Sequence, residues 1–207
     1  ASQSSALEYS AQQELALQEA ATSGLLLLTG GPGTGKTTVI NAIIEIMTEA
    51  GAAVALCAPT GRAAKRMAET CGMEAKTIHR LLELNFTGSD DKQVFGRSEE
   101  YPLDEDVVIV DEMSMVDVLL MHALLKALKP GARLILVGDA DQLTSVGAGD
   151  VLRDILKSEA VPSSRLTEIY RQAAESMIVV GAHKINAGEI PEVNQKDKDF
   201  FFVHRED

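Results

Sequence analysis

The sequence contains no tryptophan and only 4% aromatic residues, which leaves few flat side chains for stacking nucleic-acid bases. No apolar run approaches the roughly 18 residues of a membrane-spanning helix. The first residues, ASQSSALEYS, lack the basic segment and apolar stretch of a secretory signal. They also lack Met, so the chain is expected to be a piece of a longer one. Cysteine is limited to Cys57 and Cys71, with no His at ligand spacing beside them. That usage fits reduced, structural thiols and a cytoplasmic protein. Basic residues are scarce as well: 19 Lys and Arg face 31 Asp and Glu, a net charge of −12 that argues against broad attraction to polyanions. The deficit is uneven. Between Cys57 and Arg80, five basic residues (Arg62, Lys65, Arg66, Lys76, Arg80) stand against two acidic ones, Glu69 and Glu74. Such a segment is a local anion-binding face or, equally, a solvated helix face.

With 207 residues and 45% apolar content, the chain suits one large domain with a buried core. Residues 10–21 have helical spacing, with Leu15, Leu17 and Ala20 to bury, and Leu25–Thr29 read as a fully buried strand. A helix from Lys36 to about Ala50 carries Ile40, Ile43, Ile44 and Met47 on one side and stops at Gly51. Then come a strand at 52–58, a helix at 62–69, the strand VVIV at 107–110 and a helix at about 116–128. Pro130-Gly131 precedes the strand RLILVG, followed by a helix near 150–157, a strand near 165–168 and a helix at 175–187. Continuous apolar strands alternating with helices predict an α/β fold, a parallel sheet covered on both faces. Residues 85–101, NFTGSDDKQVFGRSEEY, interrupt the alternation and read as a small inserted β-hairpin. Residues 1–84 and 102–207 then form one domain around it. Phe200-Phe201-Phe202 read as a terminal core strand.

The residues that carry chemistry follow strands. LLLLTGGPGTGKTT places Gly31, Pro32, Gly33, Thr34, Gly35, Lys36, Thr37 and Thr38 between a strand and a helix, the pattern of a phosphate loop. Its glycines turn backbone N–H groups around phosphates, and the helix N-terminus adds its dipole. Lys36 would neutralise the outer phosphates of ATP, and Thr37 would ligate Mg²⁺. Asp111 and Glu112 end the strand VVIV, where one carboxylate suits the Mg²⁺ shell and the other suits activating water. Gln142, in LVGDADQL, sits in a loop expected to face the outer phosphate.

In order along the chain, YSAQQ, GGPGTGKTT, APTGRAAKRM, TIHRLL, DEMS, GDADQL and LTEIYRQ resemble motifs Q, I, Ia, Ib, II, III and IV of superfamily 1 DNA helicases. The chain most resembles the first RecA-like motor domain of the RecD-like group, the exodeoxyribonuclease V alpha subunit and its stand-alone relatives. The resemblance covers roughly residues 7–205. Thr144 and Ala148 stand where proline is more frequent, and Met113 where alanine is.

The resemblance implies a P-loop NTPase of RecA-like fold that hydrolyses ATP with Mg²⁺ and moves 5′ to 3′ on single-stranded DNA, in repair and recombination. It implies that Gln13 reads the adenine edge and Arg171 contacts the γ-phosphate. Thr60, Gly61, Arg62, Lys65 or Arg66, Thr77, His79 and Arg80 would contact the DNA strand. Of these, His79 taken alone reads more simply as a packed or capping histidine. His122, His183 and His204 are too scattered for a metal site and read as structural or surface residues. The 85–101 insertion would be a pin that splits a duplex. A second RecA-like domain, with its arginine, would lie beyond Asp207, and the parent would act alone or with nuclease subunits. The other reading is a nucleotide-dependent switch or scaffold ATPase acting on a protein partner, for which Gln142 and Thr60 would be superfluous.

Overall fold

The computed structural model describes residues 8–87, 92–193 and 198–203, with the backbone alone at residues 86, 87, 92, 93, 171 and 172. The elements are α1 (Ala11–Thr22), β1 (Leu25–Gly30), α2 (Lys36–Glu49), β2 (Val54–Ala58), α3 (Gly61–Cys71), β3 (Ala75–Thr77) and α4 (Ile78–Leu81). They continue with β4 (Leu84–Thr87), β5 (Lys92–Phe95), β6 (Val107–Val110), a 3₁₀ turn (Met113–Met115), α5 (Val118–Ala127) and β7 (Arg133–Gly138). The last are α6 (Val151–Ser158), β8 (Ser163–Leu166), α7 (Arg171–Ala174) and α8 (Met177–Asn186).

Six strands form one sheet in the order β3-β2-β6-β7-β1-β8, and every neighbouring pair is parallel. Because successive side chains of a strand point to opposite faces, an all-apolar strand feeds two cores at once. Leu26 and Leu28 of β1, Leu56 of β2, Ile109 of β6 and Ile135 of β7 pack with α1, α2 and α3. Leu27, Cys57, Val108, Val110 and Leu136 point the other way, against α4, α5 and α6. This double burial explains why the strands are continuous apolar runs rather than alternating ones.

Three expectations are corrected. In α1, Leu15 is 52% exposed, while Gln13, Ala16 and Ala20 are buried. Small residues let α1 lie close on its neighbours, so the buried stripe is rotated away from Leu15. Phe200-Phe201-Phe202 form no strand. Phe201 and Phe202 are 42% and 56% exposed, and the Phe202 N–H donates to Val193 O rather than to a sheet neighbour. The helix expected from Val116 begins at Val118, because Asp117 caps it by accepting from the Leu120 N–H at 2.8 Å.

β4 and β5 pair antiparallel from Leu84↔Phe95 to Thr87↔Lys92, beginning one residue before the segment 85–101. Residues 88–91 lie outside the described residues. Arg97 fastens the root of the hairpin, pairing with Glu83 at 2.9 Å and Asp104 at 3.3 Å.

Candidate functional site

Three adjacent strands, β1, β7 and β6, deliver the chemistry-bearing loops to one sheet edge, as parallel sheets do at the carboxyl ends of their strands. After β1 the chain turns through Gly33 and Gly35 at φ +75° and +84°, backbone that residues with a Cβ rarely adopt. Thr34 is buried and its hydroxyl donates to Gly31 O at 2.9 Å. Lys36 opens α2, and its ammonium donates to Gly30 O at 2.6 Å and Gly31 O at 2.9 Å. Burial lowers the Lys36 pKa, against the pull of Asp139, Asp111 and Glu112.

A cavity of about 440 Å³ opens over this loop. Residues 32–38 form one wall, and Asp111, Glu112, Gln142, Arg66 and Tyr170 are among the residues that line the others. The Glu112 N–H donates to Asp111 Oδ1 at 2.8 Å, and Glu112 sits in left-handed backbone at φ +56°. Burial raises the pKa of both carboxyls, and for Glu112 the neighbouring Asp111 charge adds to it. Gln142 is tethered to buried Asp139, whose carbonyl accepts from the Gln142 N–H at 3.3 Å. The side chain of Arg171, expected at the outer phosphate, lies outside the described residues.

Gln13 is 1% exposed, and its Oε1 accepts from the Ser10 N–H in a capping box. Its Nε2 is buried without a hydrogen-bond partner among the described residues, and it abuts Gly35 beside the Tyr170 ring. A Cβ on Gly35 would fall 2.6 Å from that ring and 2.7 Å from Nε2. Gly35→Ala is therefore expected to destabilise the domain by about 1–2 kcal/mol from backbone strain, a fall of roughly 2–8 °C in Tm. Differential scanning fluorimetry checks this, and an unchanged Tm would contradict the packing.

The residues fit Mg²⁺ and a nucleoside phosphate. The orphaned Gln13 amide suits a base edge, the glycine turn suits phosphate oxygens, and Thr37 and Asp111 border one cavity as hydroxyl and carboxylate donors. That sparse oxygen set suits an ion that keeps waters and phosphate oxygens as its other ligands.

The residues expected to touch DNA divide between three places. Thr60 caps α3, accepting from the Ala63 N–H at 3.3 Å, and Thr77 caps α4, accepting from the Arg80 N–H at 3.2 Å. Thr60 and His79 share a groove of about 410 Å³ with Phe95, Met115, Leu119 and Val146. Gly61 and Arg62 are exposed beside it at the start of α3. The His79 and Phe95 rings lie 6.2 Å apart at 34°. Lys65 turns to Glu69 at 3.9 Å. Arg80 borders a different recess, with Lys76 and Arg97. Arg66 faces the phosphate-loop cavity, its Nη2 3.9 Å from Glu112 Oε1.

Two residues at the loop were not read from the sequence. Tyr170 stands one position before Arg171 in LTEIYRQ, and its N–H donates to Gly33 O at 3.1 Å; that motif was a sufficient signal. His183 lies 3.0 Å from Pro32 O through Nε2, a contact across 151 positions that leaves no local trace in the sequence.

Residues 8–206 match the family model described as an AAA domain. The ATP-dependent RecD2 DNA helicase of Deinococcus radiodurans is 44% identical over 182 residues, 88% of this chain and 24% of that protein. The RecBCD enzyme subunit RecD of Mycobacterium tuberculosis is 39% identical over 203 residues, 86% of this chain and 34% of that protein. The crystal structure of Pif1 helicase from Candida albicans superposes with a TM-score of 0.64 at 24% identity, covering 90% of this chain and 46% of that one.

Proposed function

Because the chain belongs to the AAA domain family and, within it, to the RecD-like superfamily 1 helicases, we propose that it is the nucleotide-holding half of a DNA motor. It spans about a quarter to a third of the curated relatives it matches, so a second RecA-like domain and any nuclease subunits belong to this proposal too. The observation that carries it is the grouping of Lys36, Asp111, Glu112 and Gln142 around one cavity, which Arg66 of α3 also lines, while Thr60, the cap of α3, lines the groove.

In this reading Lys36 leaves the carbonyls of Gly30 and Gly31 to neutralise the outer phosphates of ATP. Thr37 and Asp111 would hold Mg²⁺, which when bound screens phosphate charge and polarises the bond that breaks. Glu112 takes the proton of the attacking water, and its desolvated carboxyl is a stronger base than an exposed one. Gln142 senses the outer phosphate, joined by Arg171. The Gln13 amide and the Tyr170 ring take the base. Thr60, Gly61, Arg62 and His79 hold the strand, with bases over the apolar floor of the groove. The net charge of −12 limits phosphate attraction to this local patch. The hairpin acts as a pin at a fork, and translocation runs 5′ to 3′.

The experiment is ATP turnover by the full-length protein with and without single-stranded DNA. Turnover is expected to rise at least about tenfold with DNA, and the stimulation to be lost in Thr60→Ala/Arg62→Ala, which removes a phosphate donor and a charge. Turnover indifferent to DNA would instead favour a nucleotide-dependent switch acting on a protein partner.

A further inference from the structure

Arg66 belongs by sequence to the basic segment expected on DNA, yet its position in the fold is different. Helix α3 starts at the groove, where Thr60 caps it, and ends at Cys71. One and a half turns into the helix, Arg66 crosses to the phosphate-loop cavity, where it stands with Lys36, Asp111 and Gln142. Its Nη2 lies 3.9 Å from Glu112 Oε1. Among the described residues this is the one ion pair of the Glu112 carboxylate. Neighbouring Lys65 points elsewhere, at Glu69. The left-handed backbone of Glu112 fixes where its Cβ points, so the remaining freedom lies in the side-chain torsions, and Arg66 is the group placed to limit them.

We propose that Arg66 is a positioning residue: it holds the Glu112 carboxylate in the cavity and ties it to the helix whose first turn meets the nucleic-acid strand. The inference rests on reading Glu112 as the base that activates water. A strand seated at Thr60 moves α3 as a unit, and the guanidinium carries that displacement to the carboxylate. The Arg66 side chain is 70% exposed, and exposed ion pairs contribute little to folding stability. Its effect falls on the geometry of the base, where a misplacement of about 1 Å costs on the order of 100-fold in rate.

The test uses full-length protein carrying Arg66→Ala, Arg66→Lys or Glu112→Gln. It measures kcat and KM for ATP at saturating single-stranded DNA, DNA affinity by fluorescence anisotropy, and Tm. Arg66→Ala is expected to lower kcat by about 10- to 100-fold, with KM, DNA affinity and Tm little changed, and Arg66→Lys to recover part of the loss. Weaker DNA binding with a salt dependence reduced by about one counterion, and kcat restored at saturating DNA, would make Arg66 a phosphate contact and overturn the proposal. A rise in KM alone, or no change in any quantity, overturns it as well. Should the Ala variant melt early, the Lys variant carries the decision: loss of kcat with DNA affinity retained supports the proposal, and the reverse sinks it. Glu112→Gln separates the two layers, because full turnover in that variant removes the underlying reading whatever Arg66 does.

Discussion

Glu112→Gln in the full-length protein is expected to lower ATP turnover by about 10²- to 10⁴-fold, the contribution of a positioned general base, while nucleotide affinity stays within a few-fold. The substitution keeps the shape of the side chain and removes its ability to take a proton. Folding should survive, since Glu112 borders a cavity and its charged partner, Arg66, is largely exposed. Desolvation and Asp111 both favour the protonated carboxyl at position 112, so the neutral amide relieves a repulsion and binding does not suffer. Phosphate release gives the rate and calorimetry the affinity. Turnover close to that of the unaltered protein would place the base elsewhere, with Asp139 the next buried carboxylate at this sheet edge.

Lys36→Ala is expected to remove nucleotide binding, a loss of at least about 100-fold in affinity, as truncating one partner of a desolvated charge pair does. Two effects act in the same direction. The ammonium is set among Asp139, Asp111 and Glu112, so without it Arg66 alone offsets the carboxylates that an incoming polyphosphate meets in the cavity. The carbonyls of Gly30 and Gly31 also lose their donor, which loosens the turn that must present N–H groups. Calorimetric titration with ATP and Mg²⁺ checks the outcome. Retained affinity would contradict the assignment of this loop as the phosphate cradle.

The parts of the molecule legible in the sequence are those whose cause is local. β6 and β7 were readable to the residue because a strand buried on both faces has to be apolar throughout. The glycine turn after β1 was readable because Gly33 and Gly35 occupy positive φ, which glycine marks. Residues 85–101 visibly break the alternation of strand and helix in the sequence, and β4 pairs with β5 between Leu84 and Phe95. What the sequence hid depends on helix phase or on distant partners. Arg62, Lys65 and Arg66 look alike in a row, and only the docking of α3, through Ala64 and Met67, decides which of them turns to the cavity. Leu15 looked like core, but Ala16 and Ala20 allow the closer approach. Three consecutive phenylalanines suggested a strand, yet residues 200–202 form none, and the Phe202 N–H donates to Val193 O.

Movement along DNA is measured most directly by arrival times at a labelled end. Full-length protein bound to single strands of increasing length is mixed rapidly with ATP and Mg²⁺, and fluorescence reports when it reaches a dye at the 3′ or 5′ end. A delay that lengthens in proportion to strand length is expected with the dye at the 3′ end, and no such delay in the Glu112→Gln variant. ATP consumption with arrival times independent of length at both ends would contradict it.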